Sequence, residues 1–410
     1  MNRQALIVGG GIGGLAASMA AMRAGWKVQL FERAPAFGEV GAGIQLGPNS
    51  TRLLNAWGLG NALTDVAAFP KLLTVRRATD GFELGQLRLG KDFVARYGAP
   101  YATLHRSDLH ALLLKGAVKN DSLQLHLDSQ VDSYAETEKG VQLKLSSSHG
   151  HDHHKGQSFQ GSALIGADGI WSTIRQQLLL KNHFQNLIKP TGHLAYRALV
   201  SQNTLPQSLR SQQVTVWLGP RLHVVSYPVR RGDWLNVVVI VHGQPSGDVK
   251  DWDHAGLAVD VHAALMGTCP ALQALVHAVQ GWRLWVLCDS PPLRGPDQMA
   301  GGRCALLGDA AHAIRPYLAQ GAGMALEDAA ELGQCLASVQ QPGMDVPSAL
   351  SRYALNRWQR NARVQARAQR NGKIFHASGL MRISRDVAMK LGKERLLDVP
   401  WLYEFGQTVP

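Results

Sequence analysis

The apolar positions of the chain fall into two rhythms. Ala5–Val8 is an unbroken apolar run, followed by Leu15, Ala16, Met19 and Met22 at helical spacing and then by Val28, Leu30 and Phe31. A continuous run reads as a buried strand, and recurrence every three or four residues as one face of a helix. Strand, helix and strand within about thirty residues make a βαβ unit, which implies a parallel sheet. The middle of the chain differs. Residues 194–200, 213–218, 222–229 and 234–241 are rich in Val, Leu, Trp and Tyr and are punctuated by Gly or Pro. They predict neighbouring antiparallel strands. Arg303–Leu307 reads as a further buried strand, leading through Gly308-Asp309 to a helical pattern from about Gly321 to Val339. The chain is thus expected to leave a parallel-sheet domain, build a β-sheet domain, and return.

Composition narrows the class. Hydrophobic residues make up 45% of the 410 residues and charged residues 18%, against about 25% charged in average soluble domains. A disordered chain, a collagen and a small disulfide scaffold are excluded. No uncharged apolar run reaches the roughly 18 residues of a membrane span. The first strand begins near residue 4, leaving no room for a signal peptide, so a cytoplasmic protein is expected. Cys269, Cys288, Cys304 and Cys335 stand singly, without a Cys-x-x-Cys pair, and are expected to be reduced thiols.

The net charge is +12, and nine basic residues lie between Val346 and Arg385, where no acid occurs. Tyr353, Leu355, Trp358, Val364, Ile374 and Phe375 interleave with them, so this tail is expected to dock on the body and not to bind nucleic acid. His149, His151, His153 and His154 flank Asp152 at the tip of an expected hairpin loop. A tip of this composition does not hold ligands in fixed geometry, and no metal is expected there.

Three motifs carry chemistry. Gly9-Gly10-Gly11-Ile12-Gly13-Gly14 lies between the first strand and helix. Gly9 permits the tight turn, Gly11 lets a pyrophosphate approach the backbone, and Gly14 allows close helix–strand packing. Glu32, eighteen residues beyond Gly14, closes the second strand, placed to bind two ribose hydroxyls. The second motif is Gly166-Ala-Asp168-Gly169 with Ser172 and Arg175, and the third is Gly308-Asp309-Ala-Ala-His312 leading to Gly321-Ala322-Gly323. An Asp after a buried strand accepts hydrogen bonds from a ligand hydroxyl, or caps the helix that follows.

In this order the motifs resemble the single-component FAD-dependent aromatic hydroxylases, the group A flavoprotein monooxygenases. The resemblance covers nearly the whole chain. It includes the segments Gly41–Asn49, His105–Leu109, Ala195-Tyr196-Arg197, Tyr227-Pro228 and Ala319–Ala329. Gln320-Gly-Ala-Gly-Met-Ala-Leu-Glu327-Asp328 is similar to the salicylate hydroxylase, 3-hydroxybenzoate 6-hydroxylase and 6-hydroxynicotinate 3-monooxygenase branch. Two positions depart from that branch: Gln45 stands where the hydroxynicotinate enzymes have His, and Pro316 where the 3-hydroxybenzoate enzymes have Gln.

The resemblance implies an α/β fold, with a Rossmann-like FAD-binding domain (1–70, 100–180 and 282–340). It implies an inserted antiparallel β-sheet substrate domain (71–99 and 181–281) and C-terminal helices (341–410). Glu32 and Arg33 would hold the adenosine half, and Arg106 the phosphates or ribityl chain. Val131 and Asp168 would also serve the cofactor, Asp309 would bind the ribityl chain, and the helix start at Gly321, Ala322 and Gly323 would face the pyrimidine ring. FAD would be the bound cofactor, with NADH or NADPH and O2 as transient co-substrates and a flavin C4a-hydroperoxide as oxidant. The resemblance allows a homodimer. The substrate would be a small hydroxylated aromatic acid or an N-heteroaromatic analogue. The alternatives are a larger ubiquinone-precursor or secondary-metabolite aromatic, or a flavin-bearing regulatory or nucleic-acid-binding protein. The pocket is expected between the flavin edge and residues 193–240, capped by Gln45 and by Pro316-Tyr317. His193, Tyr196, Arg197, His223 and Tyr227 are its polar candidates. Tyr196 and His223 are expected to contact the ring substituent, with His223 accepting a phenolic proton near pH 7.

Overall fold

The computed structural model describes residues 3–38, 42–147, 156–244, 249 and 254–406. Gln4–Val8 pairs in parallel with Lys27–Phe31 on one side and Ala163–Gly166 on the other. Cys304–Leu306 and Leu123–His126 extend the parallel sheet outward, and Ala300–Gly301 closes one edge in antiparallel. Ala5, Leu6 and Ile7 have no exposure, as the continuous apolar run requires for a strand covered on both faces. Helices Ile12–Arg23 and Gly321–Ser338 pack on one another beside it.

The second sheet has eight strands among the described residues. Lys189–Ser201, Val214–Gly219, Leu222–Val229 and Trp234–His242 realise the four expected strands, in antiparallel pairs. Leu72–Arg77 joins Val214–Gly219 in parallel, and Glu83–Arg88 forms the edge beyond it. One boundary moves. Residues 282–289 were expected to return to the nucleotide domain, but Arg283–Asp289 pairs with Lys189–Ser201. Its partner lies about ninety residues earlier, a relation that local apolar patterning does not encode.

Alternation gives this sheet two distinct faces. Leu194, Tyr196 and Ala198 point with Val237 and Val239 toward Leu265, Leu272 and Trp282, on the side of the helices Ala258–Ala264 and Pro270–His277. Ala195, Val238 and Ile240 point the other way, where they meet Tyr317. This inner face is the one turned toward the nucleotide domain.

The basic tail forms the helix Val346–Phe375, capped at its start by Asp345. It docks as expected, through buried charge as well as apolar contact. The Arg357 Nε donates to Asp328 Oδ1 at 2.8 Å, its Nη2 lies 2.9 Å from Glu327 Oε2, and none of the three side chains is exposed. Arg360 Nε adds a bond to Glu327 Oε2 at 2.6 Å. The four cysteines are free. Among the described residues no helix is long and apolar enough to cross a membrane. The His149–His154 stretch lies outside the described residues.

Candidate active site

The three motifs converge because they leave adjacent parallel strands at the same end. Lys27–Phe31, Gln4–Val8, Ala163–Gly166 and Cys304–Leu306 stand side by side, and each runs directly into Glu32, Gly9, Asp168 or Asp309. Ligands of open α/β sheets bind outside such carboxyl ends. Gly9 sits at φ +101°, and a Cβ on Gly14 would meet the Gly9 carbonyl at 1.8 Å, so both positions demand glycine. A Cβ on Gly11 would meet nothing within 4 Å: this is open surface at a helix start that no side chain caps. Gly13 packs toward Leu307. Glu32 accepts from the Gly10 N–H at 2.6 Å and the Ala34 N–H at 2.9 Å, which leaves acceptor capacity on both oxygens for two hydroxyls.

The remaining cofactor candidates divide. Asp309 is exposed beside the fingerprint; surrounding protein raises its pKa, opposed by His312, Arg106 and Arg175. Helix Gly321–Ser338 starts uncapped, with open space around Gly321, Ala322 half-buried and Gly323 tight against Ser50. Arg106 opens the helix Arg106–Ala117, close enough to act on the charge of both Asp309 and Arg197. Arg33 is exposed next to Glu32. The Asp168 carboxylate accepts from Ser172 Oγ and from the Thr173 and Ile174 N–H groups. It is committed to the start of the helix Thr173–Lys181, and it borders the site through its backbone beside Gly9. The Val131 side chain is buried in the main core.

Sequence reasoning did not assign Arg175 a role. Its guanidinium is buried and donates to the carbonyls of Asp309 and Ala310 at 3.2 Å, and to that of Ile170. It ties the second motif to the third. The motif string contained it, but the Asp309 and Ala310 carbonyls it reaches lie more than 130 residues away. His312 and Asp328 form a similar hidden brace: Asp328 Oδ2 accepts from the Gly308 N–H and bonds His312 Nε2.

On the inner face of the second sheet, two polar groups stand apart. The first surrounds Arg197, which lies over the Trp285 ring at 3.8 Å. Its Nε is buried without a hydrogen-bond partner. Burial pushes its pKa down to about 10, with Arg106 adding to the fall and Tyr227 opposing it. Tyr227 and Asn236 occupy the next row. Asn236 Oδ1 accepts from the Gly43 N–H at 2.7 Å, while its Nδ2 is buried without a partner. Gln45, two residues further, accepts from the Tyr101 hydroxyl at 2.9 Å. A buried guanidinium and a buried amide with unused donors form a receptor for an anion.

The second group surrounds Tyr317. Its hydroxyl bonds His193 Nδ1, and Pro316-Tyr317 rests on Ala195 and Ile240. His223 joins it from Leu222–Val229, two strands across the sheet from His193, and bonds His376 through Nδ1 at 2.7 Å. His376, at the end of the long helix, was not singled out by sequence reasoning. Burial first, and His193 second, push the pKa of His223 down to about 3. His223 is therefore neutral at rest, with a lone pair to offer, and a weaker base than a free imidazole. Tyr196, expected beside it, is on the outer face against Trp282 and Gly256. The strand alternation places Tyr196 and Arg197 on opposite sides, and the inner position goes to Arg197. A separate cleft of about 820 Å³, lined by Ala67, Pro70, Gln212 and Arg231, touches the resemblance segments only at Pro228 and contains none of the glycine or aspartate motif residues.

Parallel-strand ends with a fingerprint turn define a dinucleotide-binding protein, here with a second sheet that turns a face of polar groups toward the cofactor end. The chain belongs to the FAD binding domain family, whose model matches residues 2–368, and it is an FAD-dependent monooxygenase. It is 37% identical over 402 residues to 3-hydroxybenzoate 6-hydroxylase of Polaromonas naphthalenivorans, covering 97% of this chain and 95% of the relative. It is 34% identical to 6-hydroxynicotinate 3-monooxygenase of Bordetella bronchiseptica, covering 88% of each. Among solved structures, a salicylate hydroxylase substrate complex superposes with TM-score 0.81 at 25% identity, over 98% of this chain and 95% of that one. The open cradle at Gly11, the uncapped helix starts and the spare acceptors of Glu32 fit FAD.

Proposed function

We propose that this monooxygenase hydroxylates the ring of a small hydroxylated aromatic acid, of the hydroxybenzoate or hydroxynicotinate kind. The observation that carries the reading is Arg197. Its Nε is buried and unpartnered on the face turned toward the cofactor groove, and no carboxylate among the described residues pairs with it. A substrate carboxylate supplies the missing acceptor, and stacking on Trp285 fixes the plane of the guanidinium. His223 lies two strands and one row away, about 12 Å at Cα from the ordinary strand spacing and rise. That span accommodates one aromatic ring, with its carboxylate at Arg197 and its hydroxyl near His223. Relatives named for 3-hydroxybenzoate and 6-hydroxynicotinate support the same class.

FAD, when bound, would supply the redox chemistry, namely hydride acceptance from the nicotinamide and oxygen activation. The chain's own residues do the rest. Glu32 holds the fingerprint turn and offers acceptors to the ribose. The N-terminus of helix Gly321–Ser338 presents free amides to developing negative charge. Arg197 and Asn236 orient the acid, and Gln45 with Tyr101 lines the opposite wall. Tyr317 and the aliphatic face of Ala195, Val238 and Ile240 exclude water, which favours hydroxylation over loss of peroxide. NADH or NADPH and O2 as co-substrates, and a cytoplasmic setting, complete the reading. The test is a panel of hydroxybenzoates, hydroxynicotinates and their amides, scored for stimulated NAD(P)H oxidation and for product mass. An acid should gain one oxygen, and its amide should be a poor substrate. Equal turnover of acids and amides would refute the reading.

A further inference from the structure

Three imidazoles from distant parts of the chain meet at one point behind Tyr317. His193 and His242 stand directly opposite one another on paired strands, and His376 reaches them from the end of the long helix. Their ring centroids are 4.5, 4.9 and 5.0 Å apart. Their ligating nitrogens all lie within 4.8 Å of one another. We propose that His193, His242 and His376 bind a borderline divalent transition-metal cation, with Zn2+ as the representative.

The geometry suits such an ion. With Zn–N bonds of about 2.0–2.1 Å, tetrahedral imidazoles place their centroids about 5 Å apart. The second nitrogens are oriented from outside, as ligating histidines require. His193 Nδ1 is bonded to the Tyr317 hydroxyl, leaving Nε2 for the ion. His376 Nε2 is bonded to His223 Nδ1 at 2.7 Å, leaving its Nδ1, which lies 2.9 Å from His242 Nε2. That last pair faces one point and becomes two ligands when the ion is present. His242 is exposed while the other two are buried, which gives an entry path. All three rings have lowered pKa values, chiefly from burial, so they stay neutral and keep their lone pairs. A set of neutral nitrogens without a carboxylate selects zinc, nickel or copper over calcium and magnesium.

The surroundings limit affinity. Arg315 faces His193, Arg221 faces His242 and Arg385 faces His376. Arg315 is paired with Asp289 and Arg385 with Asp386 at 2.7 Å, which offsets part of their repulsion. The bound ion would fasten the end of the long helix to the sheet, next to Tyr317. This inference does not depend on the identity of the aromatic substrate.

The test uses untagged, FAD-loaded protein in which His149, His151, His153 and His154 are changed to Ser, because that stretch is a second source of histidine. Titration with ZnCl2 by calorimetry should show one ion per chain with micromolar or tighter Kd, and thermal unfolding should move upward. His242→Ala, at an exposed position, and His376→Ala should each weaken binding at least tenfold, with flavin absorbance reporting that the fold persists. Absence of stoichiometric binding would overturn the proposal, and the cluster would then be a hydrogen-bonded imidazole chain alone. Binding that survives both substitutions would also overturn it.

Discussion

Tyr196 and Arg197 are sequence neighbours that serve opposite sides of one strand. Tyr196 packs outward among Leu194, Ala198 and Trp282, and Arg197 stacks inward on Trp285. One peptide bond separates a packing residue from the best-placed anion receptor. Tyr196→Phe should therefore leave turnover and coupling within about twofold of the parent, because it removes a hydroxyl far from the groove. Steady-state oxidation with peroxide quantified checks this.

Arg197→Met should act in the opposite way. Losing a charge-assisted contact to a carboxylate costs about 1.5–3 kcal/mol, so KM for an acid should rise by tenfold or more. A neutral analogue should change little. Steady-state kinetics with an acid and amide pair provide the comparison.

Glu32→Ala should weaken FAD by about 1–3 kcal/mol, the scale of hydrogen bonds to a charged group. Part of that loss comes from the turn itself, since Glu32 holds the Gly10 and Ala34 N–H groups. Fluorescence titration of the apoprotein measures it, and Glu32→Gln should recover part of the affinity.

Asp328 links stability to acid. Arg357 and His312 hold its carboxyl well below the usual carboxylate range against the cost of burial. A depressed native pKa means that the unfolded state binds the proton more readily. The stability contributed is complete above the unfolded value of about 3.9 and is lost as pH falls from there toward the native pKa. Urea unfolding between pH 5 and 2.5 should show this decline, and Asp328→Asn should flatten it while lowering stability at pH 7. Arg357→Ala should cost about 3–5 kcal/mol, because it removes the buried guanidinium that both acids share and leaves Asp328 to His312 and neutral donors, with Glu327 held by Arg360.

The sequence made the nucleotide half legible because its signals are local. Gly9, Gly11, Gly14 and Glu32 sit on a strand–turn–helix–strand unit whose backbone demands those residues. The four central strands of the second sheet were legible from their apolar runs and turn residues. Arg283–Asp289 was not, since its pairing partner is remote. The face on which Tyr196 lies was set by register, and register follows from neighbours absent from the local string. Asp168 belonged to a motif that serves a ligand, a helix start or both, and its bonds to the Thr173 and Ile174 N–H groups could be seen only in the geometry. His376 carried no signal: it is a single histidine at the end of a basic helix, brought to the sheet by 30 residues of helix.

The burial of Glu327 and Asp328 has a consequence for how the chain is made. Their partners Arg357 and Arg360 leave the ribosome about thirty residues later, so the helix Gly321–Ser338 must wait with its two acids solvated. The sheet around the fingerprint strand, synthesised first, also lacks its outer parallel strand Cys304–Leu306, the partner of Ala163–Gly166, until most of the chain exists. Nascent chains released before residue 360 should therefore be protease-sensitive throughout, including at their earliest-made strands. Resistance should appear in one step once the arginines emerge.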